Sequence, residues 1–170
     1  MEEPEKSCRK KSWMIDPGKC TGCRTCEVVC SITHSGELDP GKSRIRIVKW
    51  EEKGIDVPVV CQHCDVAVCM ENCPTGALSF DDFSGSVLYR KDNCIGCKLC
   101  MLSCPCGGIS LDKDGGVLKC DLCQGQTYCA QFCSAGAIAY VTHDQASERC
   151  RKEAAAALVR GAAVLDQKGS

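Results

Sequence analysis

The stretch Cys94-Ile95-Gly96-Cys97-Lys98-Leu99-Cys100-Met101-Leu102-Ser103-Cys104-Pro105 spaces its cysteines as C-x2-C-x2-C-x3-C-P. In this run three closely spaced thiolates wrap three corners of one iron-sulfur cubane, and the fourth, held away along a helix, reaches the other cubane of a pair. Three variants of the run occur elsewhere in the chain. Cys20, Cys23, Cys26 and Cys30 keep the spacing but have Ser31 at the proline position. Cys61, Cys64, Cys69 and Cys73 lengthen the second gap to four residues and keep Pro74, whereas Cys120, Cys123, Cys129 and Cys133 open it to five and carry Ser134. This internal repeat outranks local propensity as a guide to the fold.

The four groups use 16 of the 19 cysteines in 170 residues. At four thiolates per cubane, four 4Fe-4S clusters leave no ligand over. A count of three follows if one pair has lost a cluster despite intact cysteines. Zinc ribbons also pair C-x2-C elements, but a C-x2-C-x2-C triplet on one tight loop is not their pattern, and here it occurs twice. A disulfide scaffold fits poorly with an odd cysteine count and no readable export signal. Gly22 and Gly96 stand where the backbone must approach sulfide and donate N–H groups to it, and Pro74 and Pro105 fix the turn after the crossover ligand.

Between the groups lie short strand and turn segments. Trp13-Met14-Ile15 precedes group one, and Ile45 to Val60 reads as a hairpin turning at Gly54. Leu78-Ser79-Phe80 with Val87-Leu88-Tyr89, and Ile109-Ser110-Leu111 with Val117-Leu118-Lys119, flank further turns, and Ile138 to Val141 closes the pattern. The unit is strand, ligand loop, short helix, strand. Asp144 to Gln167 reads as a surface or partner-facing helix capped by Thr142 or Asp144, before a fraying tail, Lys168-Gly169-Ser170. The expected fold class is α+β: two tandem ferredoxin-like pseudo-repeats over residues 1–143, then a helix and tail over 144–170.

Formal charge is −1, which argues against a basic nucleic-acid stripe. The most apolar run, Ala154 to Val159, stops at Arg160, well short of a membrane span. The expectation is a cytoplasmic protein with no nucleic-acid partner. Each oxidised cubane with its thiolates carries about −2, so four move the chain to about −9, to be offset by N–H donors and bases. Lys98, Lys119, Arg24 and Arg44 lie near ligands in sequence but read mainly as solvated charges. Cys106 reads as a small buried hydrophobe, Cys8 and Cys150 receive no role, and His63 reads as an imidazole beside the ligands or exposed. His34 and His143 belong to no constellation. No Ser/His/Asp set, paired carboxylates or phosphate loop is readable, so no catalytic residue is expected.

Taken together, the four groups resemble the polyferredoxin-type electron-transfer subunits that accompany molybdopterin or tungstopterin oxidoreductases, hydrogenases and carbon monoxide dehydrogenases. The resemblance covers Trp13 to Val141. It implies nesting: group one with group four and group two with group three, although spacing alone would equally allow sequential pairing. Carried over, Cys20, Cys23, Cys26 and Cys133 hold one cluster, and Cys120, Cys123, Cys129 and Cys30 its neighbour. Cys61, Cys64, Cys69 and Cys104 hold a third, and Cys94, Cys97, Cys100 and Cys73 the fourth. The short group four and the CPCGGI stretch at residues 104–109 are more similar to small subunits of the tungsten aldehyde:ferredoxin oxidoreductase family, including tungsten benzoyl-CoA reductase. Ser31 and Ser134 depart from the commonest pattern. The resemblance implies an anaerobic electron conductor beside a larger metal-pterin catalytic subunit, with a ferredoxin or further electron-input subunit as the other partner. A free polyferredoxin, or a subunit of a hydrogenase or carbon monoxide dehydrogenase, is the alternative. Cys97→Ser is expected to lose or convert one cluster, dropping iron from about 16 towards 12 per chain, while Cys106→Ser leaves iron content unchanged.

Overall fold

The computed structural model describes residues 11–82 and 84–166; Cys8 and the tail Lys168-Gly169-Ser170 lie outside them. The fold is α+β, built among the described residues from four two-stranded antiparallel ribbons and five α-helices. β1 (Lys11–Ile15) pairs with β8 (Ile138–Thr142), so the first and last strands close on each other. Trp13 stands opposite Tyr140 in this ribbon, their ring centroids 5.0 Å apart. β2 (Ile45–Trp50) and β3 (Ile55–Val60) form the expected hairpin. The other two hairpins join β4 (Leu78–Asp81) to β5 (Ser86–Tyr89) and β6 (Ile109–Leu111) to β7 (Val117–Lys119).

The helices follow the cysteine groups. α1 (Thr25–Ser35) is the longest of the four that carry group cysteines, and α2 (Val68–Glu71), α3 (Leu99–Leu102) and α4 (Tyr128–Gln131) are single turns. Pro74 and Pro105 cannot extend α2 and α3. Ser31 sets no such stop, and α1 runs on with the Ser31 hydroxyl bonded back to the Val28 carbonyl at 2.9 Å. Ser134 leads to the short outcome nonetheless, because Gly136 turns the chain at φ +62, as Gly76 does at φ +62 after group two. α1 is tied to β2 by a buried carboxylate: Glu27 accepts the Ile47 N–H at 2.8 Å.

α5 (His143–Asp166) begins with a reciprocal cap. The Gln145 N–H bonds the Thr142 hydroxyl at 3.3 Å and the Thr142 N–H bonds the Gln145 side chain at 3.1 Å, so Thr142 rather than Asp144 is the cap. Arg149 ties the helix to Asp16, while Leu158 and Val159 stand exposed. No helix among the described residues is long and apolar enough to cross a membrane.

Packing is organised around thiols. Of the 11 buried residues in the larger core cluster, five are Cys26, Cys30, Cys61, Cys120 and Cys129, among aliphatics such as Ile45, Val60 and Ile138. A smaller cluster of Ala67, Leu78 and Val87 lies between groups two and three. At the join between the two, Gly108 presses against the chain of group two: a β-carbon there would sit 2.5 Å from the Cys61 Cα and 2.6 Å from its nitrogen. Gly108→Ala is therefore expected to destabilise the protein by about 1–3 kcal/mol, because backbone rather than a flexible side chain must move. Leu158→Ala, at a site 75% exposed, is expected to change stability by less than about 0.5 kcal/mol. Thermal unfolding of the two variants checks the contrast.

Candidate metal centres

Each group of cysteines contributes to two cavities. Cys20, Cys23, Cys26 and Cys133 line one, and Cys30, Cys120, Cys123 and Cys129 line a second. A third is lined by Cys61, Cys64, Cys69 and Cys104, and a fourth by Cys73, Cys94, Cys97 and Cys100. Each space measures about 290 to 380 Å³ including its open mouth. The helices explain the exchange: cysteines four apart, such as Cys26 and Cys30 on α1, stand about one turn from each other and reach different cavities. The β1–β8 ribbon brings group four back to group one, and the inner hairpins hold groups two and three together. All 18 described cysteines are free thiols.

The donor chemistry of each cavity fits a cubane. At least four cysteines line each, and backbone N–H groups point at their sulfurs: Ala77 to Cys73 at 3.2 Å, Ala137 to Cys133 at 3.3 Å and Arg44 to Cys30 at 3.3 Å. The amides of Gly96 and Leu122 reach Cys94 and Cys120, each at 3.4 Å. These two residues are left-handed, and so are Gly22 and His63, the equivalent residues of the other two groups. Two of the four positions are therefore not glycine, and His63 and Leu122 hold a conformation costly for a side chain. Both are buried, His63 accepting the Val87 N–H at 3.2 Å, so surrounding packing holds the loop where glycine does not.

The sulfurs differ in protonation before any metal arrives. Burial pushes the Cys26 and Cys129 thiols up to about 12 and raises Cys120 well above its ordinary value. Cys23 is lowered, chiefly by hydrogen bonding from Thr25. Burial would raise Cys30 too, but His34, the Arg44 N–H and Ser43 outweigh it and hold that thiol down. The buried sulfurs must therefore surrender protons to bind metal, which couples loading to pH.

Two charged arrangements were not legible in the sequence. His34 donates from Nδ1 to the Cys30 carbonyl at 2.8 Å, with the Cys30 sulfur 3.7 Å from the same nitrogen, and its Nε2 faces Asp121 at 3.0 Å and the Cys123 sulfur at 3.9 Å. Asp121, then Cys123 and Cys30, push its pKa up to about 12. Arg44 pairs with the other Asp121 oxygen, and burial fails to raise Asp121 against His34 and Arg44, which hold it well below the carboxylate range. The His34, Asp121 and Cys123 trio could in principle ligate a single ion, but both imidazole nitrogens are already committed. The second arrangement is Lys119. It is 3% exposed, lines the third cavity, and donates to the carbonyls of Cys120 at 3.1 Å and Val87. Of the four bases read as solvated, Arg24 and Lys98 are exposed, whereas Arg44 and Lys119 are committed inside.

Cys106 corrects another expectation. It is exposed rather than buried, and it lines the third cavity as a fifth thiol. Cys150 lies exposed on α5, away from the cavities.

The chain is 42% identical over 127 residues to the polyferredoxin-like subunit of an aliphatic sulfonate oxidoreductase of Pyrococcus furiosus, covering 74% of this chain and 73% of that one. It is 37% identical over 132 residues to the beta subunit of NADH-dependent phenylglyoxylate dehydrogenase of Aromatoleum evansii, covering 75% of this chain but only 29% of the relative. Among solved structures, the active site complex BamBC of benzoyl coenzyme A reductase with benzoyl-CoA includes a chain 28% identical at a TM-score of 0.47, the match covering 77% of this chain and 78% of that one. The family model for a 4Fe-4S dicluster domain matches residues 52–143, more than half the length. The cysteine pattern, the donor chemistry of the cavities and this match agree: the chain belongs to the 4Fe-4S dicluster domain family and carries multiple 4Fe-4S clusters.

Proposed function

We propose that the chain is the electron-conducting subunit of an oxidoreductase, passing electrons between a low-potential carrier and a tungsten- or molybdenum-pterin site in a larger catalytic partner. In this reading the sixteen group cysteines ligate four clusters in the nested sets carried over by resemblance. The observation that carries it is that each of four cavities is lined by four of these thiols, three from one group and one from its nested partner. A 4Fe-4S cluster, when bound, supplies a reversible one-electron change. The chain supplies spacing, insulation and charge.

The cavities join in sequence, each to the next. α1 and α4 join the first to the second, and α2 and α3 join the third to the fourth. Across the middle, Cys120 of the second cavity interacts electrostatically with Cys61 of the third. The second cavity holds three buried thiols, Cys30, Cys120 and Cys129, while the outer cavities carry the exposed Cys23 and Cys97. A series with a reachable sulfur at each end suits conduction from one docking partner to another. The Pyrococcus furiosus and Aromatoleum evansii relatives, named as subunits of oxidoreductases, support the assignment to a complex. The division at residue 143 into a cluster domain and a partner-facing helix belongs to the same proposal, supported by the exposed face of α5.

Anaerobic native mass spectrometry of the complex from its own cells, with metals counted, tests the reading. About 16 Fe per chain with tungsten or molybdenum in a co-purifying larger subunit is the expected result. A lone monomer at native expression removes the subunit assignment, and zinc without iron removes the clusters. Lys119→Met is expected to lower the potential of at least one middle cluster by about tens of millivolts, because a buried cation that favours the reduced, more negative state is gone. Potentiometric EPR titration reads the shift.

A further inference from the structure

Three of the four cavities are lined by four thiols and the third by five, the extra one being Cys106. Its position is not accidental. The second residue after the last cysteine lines a cavity in the two other groups that share this turn: Thr75 in the fourth cavity and Ala135 in the first. Thr75 even hydrogen-bonds the sulfur of Cys73, at 3.7 Å. The turn thus aims this side chain at the centre, and only in group three is it a thiol. Cys106 faces Cys64, Cys104 and Cys61 electrostatically, Cys64 most strongly. Its loop has little freedom to swing away, because Gly107 turns at φ +59 and Gly108 lies against the Cys61 backbone. Cys64 is itself only partly buried, whereas Cys61 is buried and Cys69 is anchored on α2.

The geometry points to Cys106 as a reserve iron ligand of the third cavity, able to replace Cys64 at its iron. This rests on the proposed ligand sets. In the exchange the iron–sulfur bond to Cys64 breaks and one to Cys106 forms. The Cys106 thiol gives its proton through solvent to the departing Cys64 thiolate, and no electron changes hands. Such a site survives damage or displacement of Cys64 without losing the cluster.

The test uses the full-length holoprotein, purified anaerobically, as Cys64→Ala, Cys106→Ala and the double variant. Alanine is chosen because it offers no oxygen to stand in for sulfur. Cys64→Ala is expected to keep about 16 Fe per chain, with Cys106 newly protected from iodoacetamide, and the double variant to fall to about 12. Loss of about four irons, or a three-iron EPR signal, in Cys64→Ala to the same extent as in the double variant overturns the proposal and leaves the ligand sets standing. A double variant that keeps about 16 Fe overturns the ligand set itself. Should Cys64→Ala not fold, Cys106→Ala against the unaltered chain decides under chelator challenge. Loss of about four irons several-fold faster without Cys106 is expected, and equal rates overturn the reserve role.

Discussion

Two sulfurs four residues apart, on or just past one turn of helix, line two different cavities, and the rest of the architecture follows from that. Cys26 and Cys30 do this on α1, and Cys69 with Cys73, Cys100 with Cys104 and Cys129 with Cys133 repeat it across the ends of α2, α3 and α4. In the proposed ligand sets a helix of this kind cannot be satisfied alone, since its last sulfur joins three partners from another group. The long-range closure is met by the β1–β8 ribbon for the outer groups and by the two inner hairpins for the others. The core is small, and five of the 14 buried residues in its two clusters are cysteines, so ligation itself becomes a principal cross-link, and folding and metal loading are one process.

The ribbons and the cysteine loops were legible because they are written locally. Alternation over residues 45–60 and turn chemistry at Gly54 are short-range signals, and the C-x3-C step fixes which sulfurs part company. The order of pairing was not local and came from resemblance. Equally hidden were His34, Arg44 and Asp121, because 87 residues separate His34 from Asp121 and no periodicity links them. Lys119 looked like an ordinary surface base, since nothing in its neighbours tells that β7 buries it. His63 and Leu122 show a different limit. A left-handed position announces itself only when glycine fills it, as at Gly22 and Gly96, and packing can enforce the same backbone on another residue at a cost.

Charge placement connects fold to conduction. Burial disfavours the extra negative charge of a reduced cluster, and by that effect alone the second position, lined by three buried thiols, would be the hardest to reduce. Against it, the buried or half-buried cations nearest the cavities gather there: Lys119 at the junction of the second and third cavities, and Arg44 and His34 on the second. At the outer cavities the sequence places Arg24 and Lys98, which extend into solvent, where water already screens both terms. The cations therefore offset burial where burial is greatest. A line of sites works as a conductor only if no interior step is much harder than its neighbours, and the interior bases are the chain's means of levelling it.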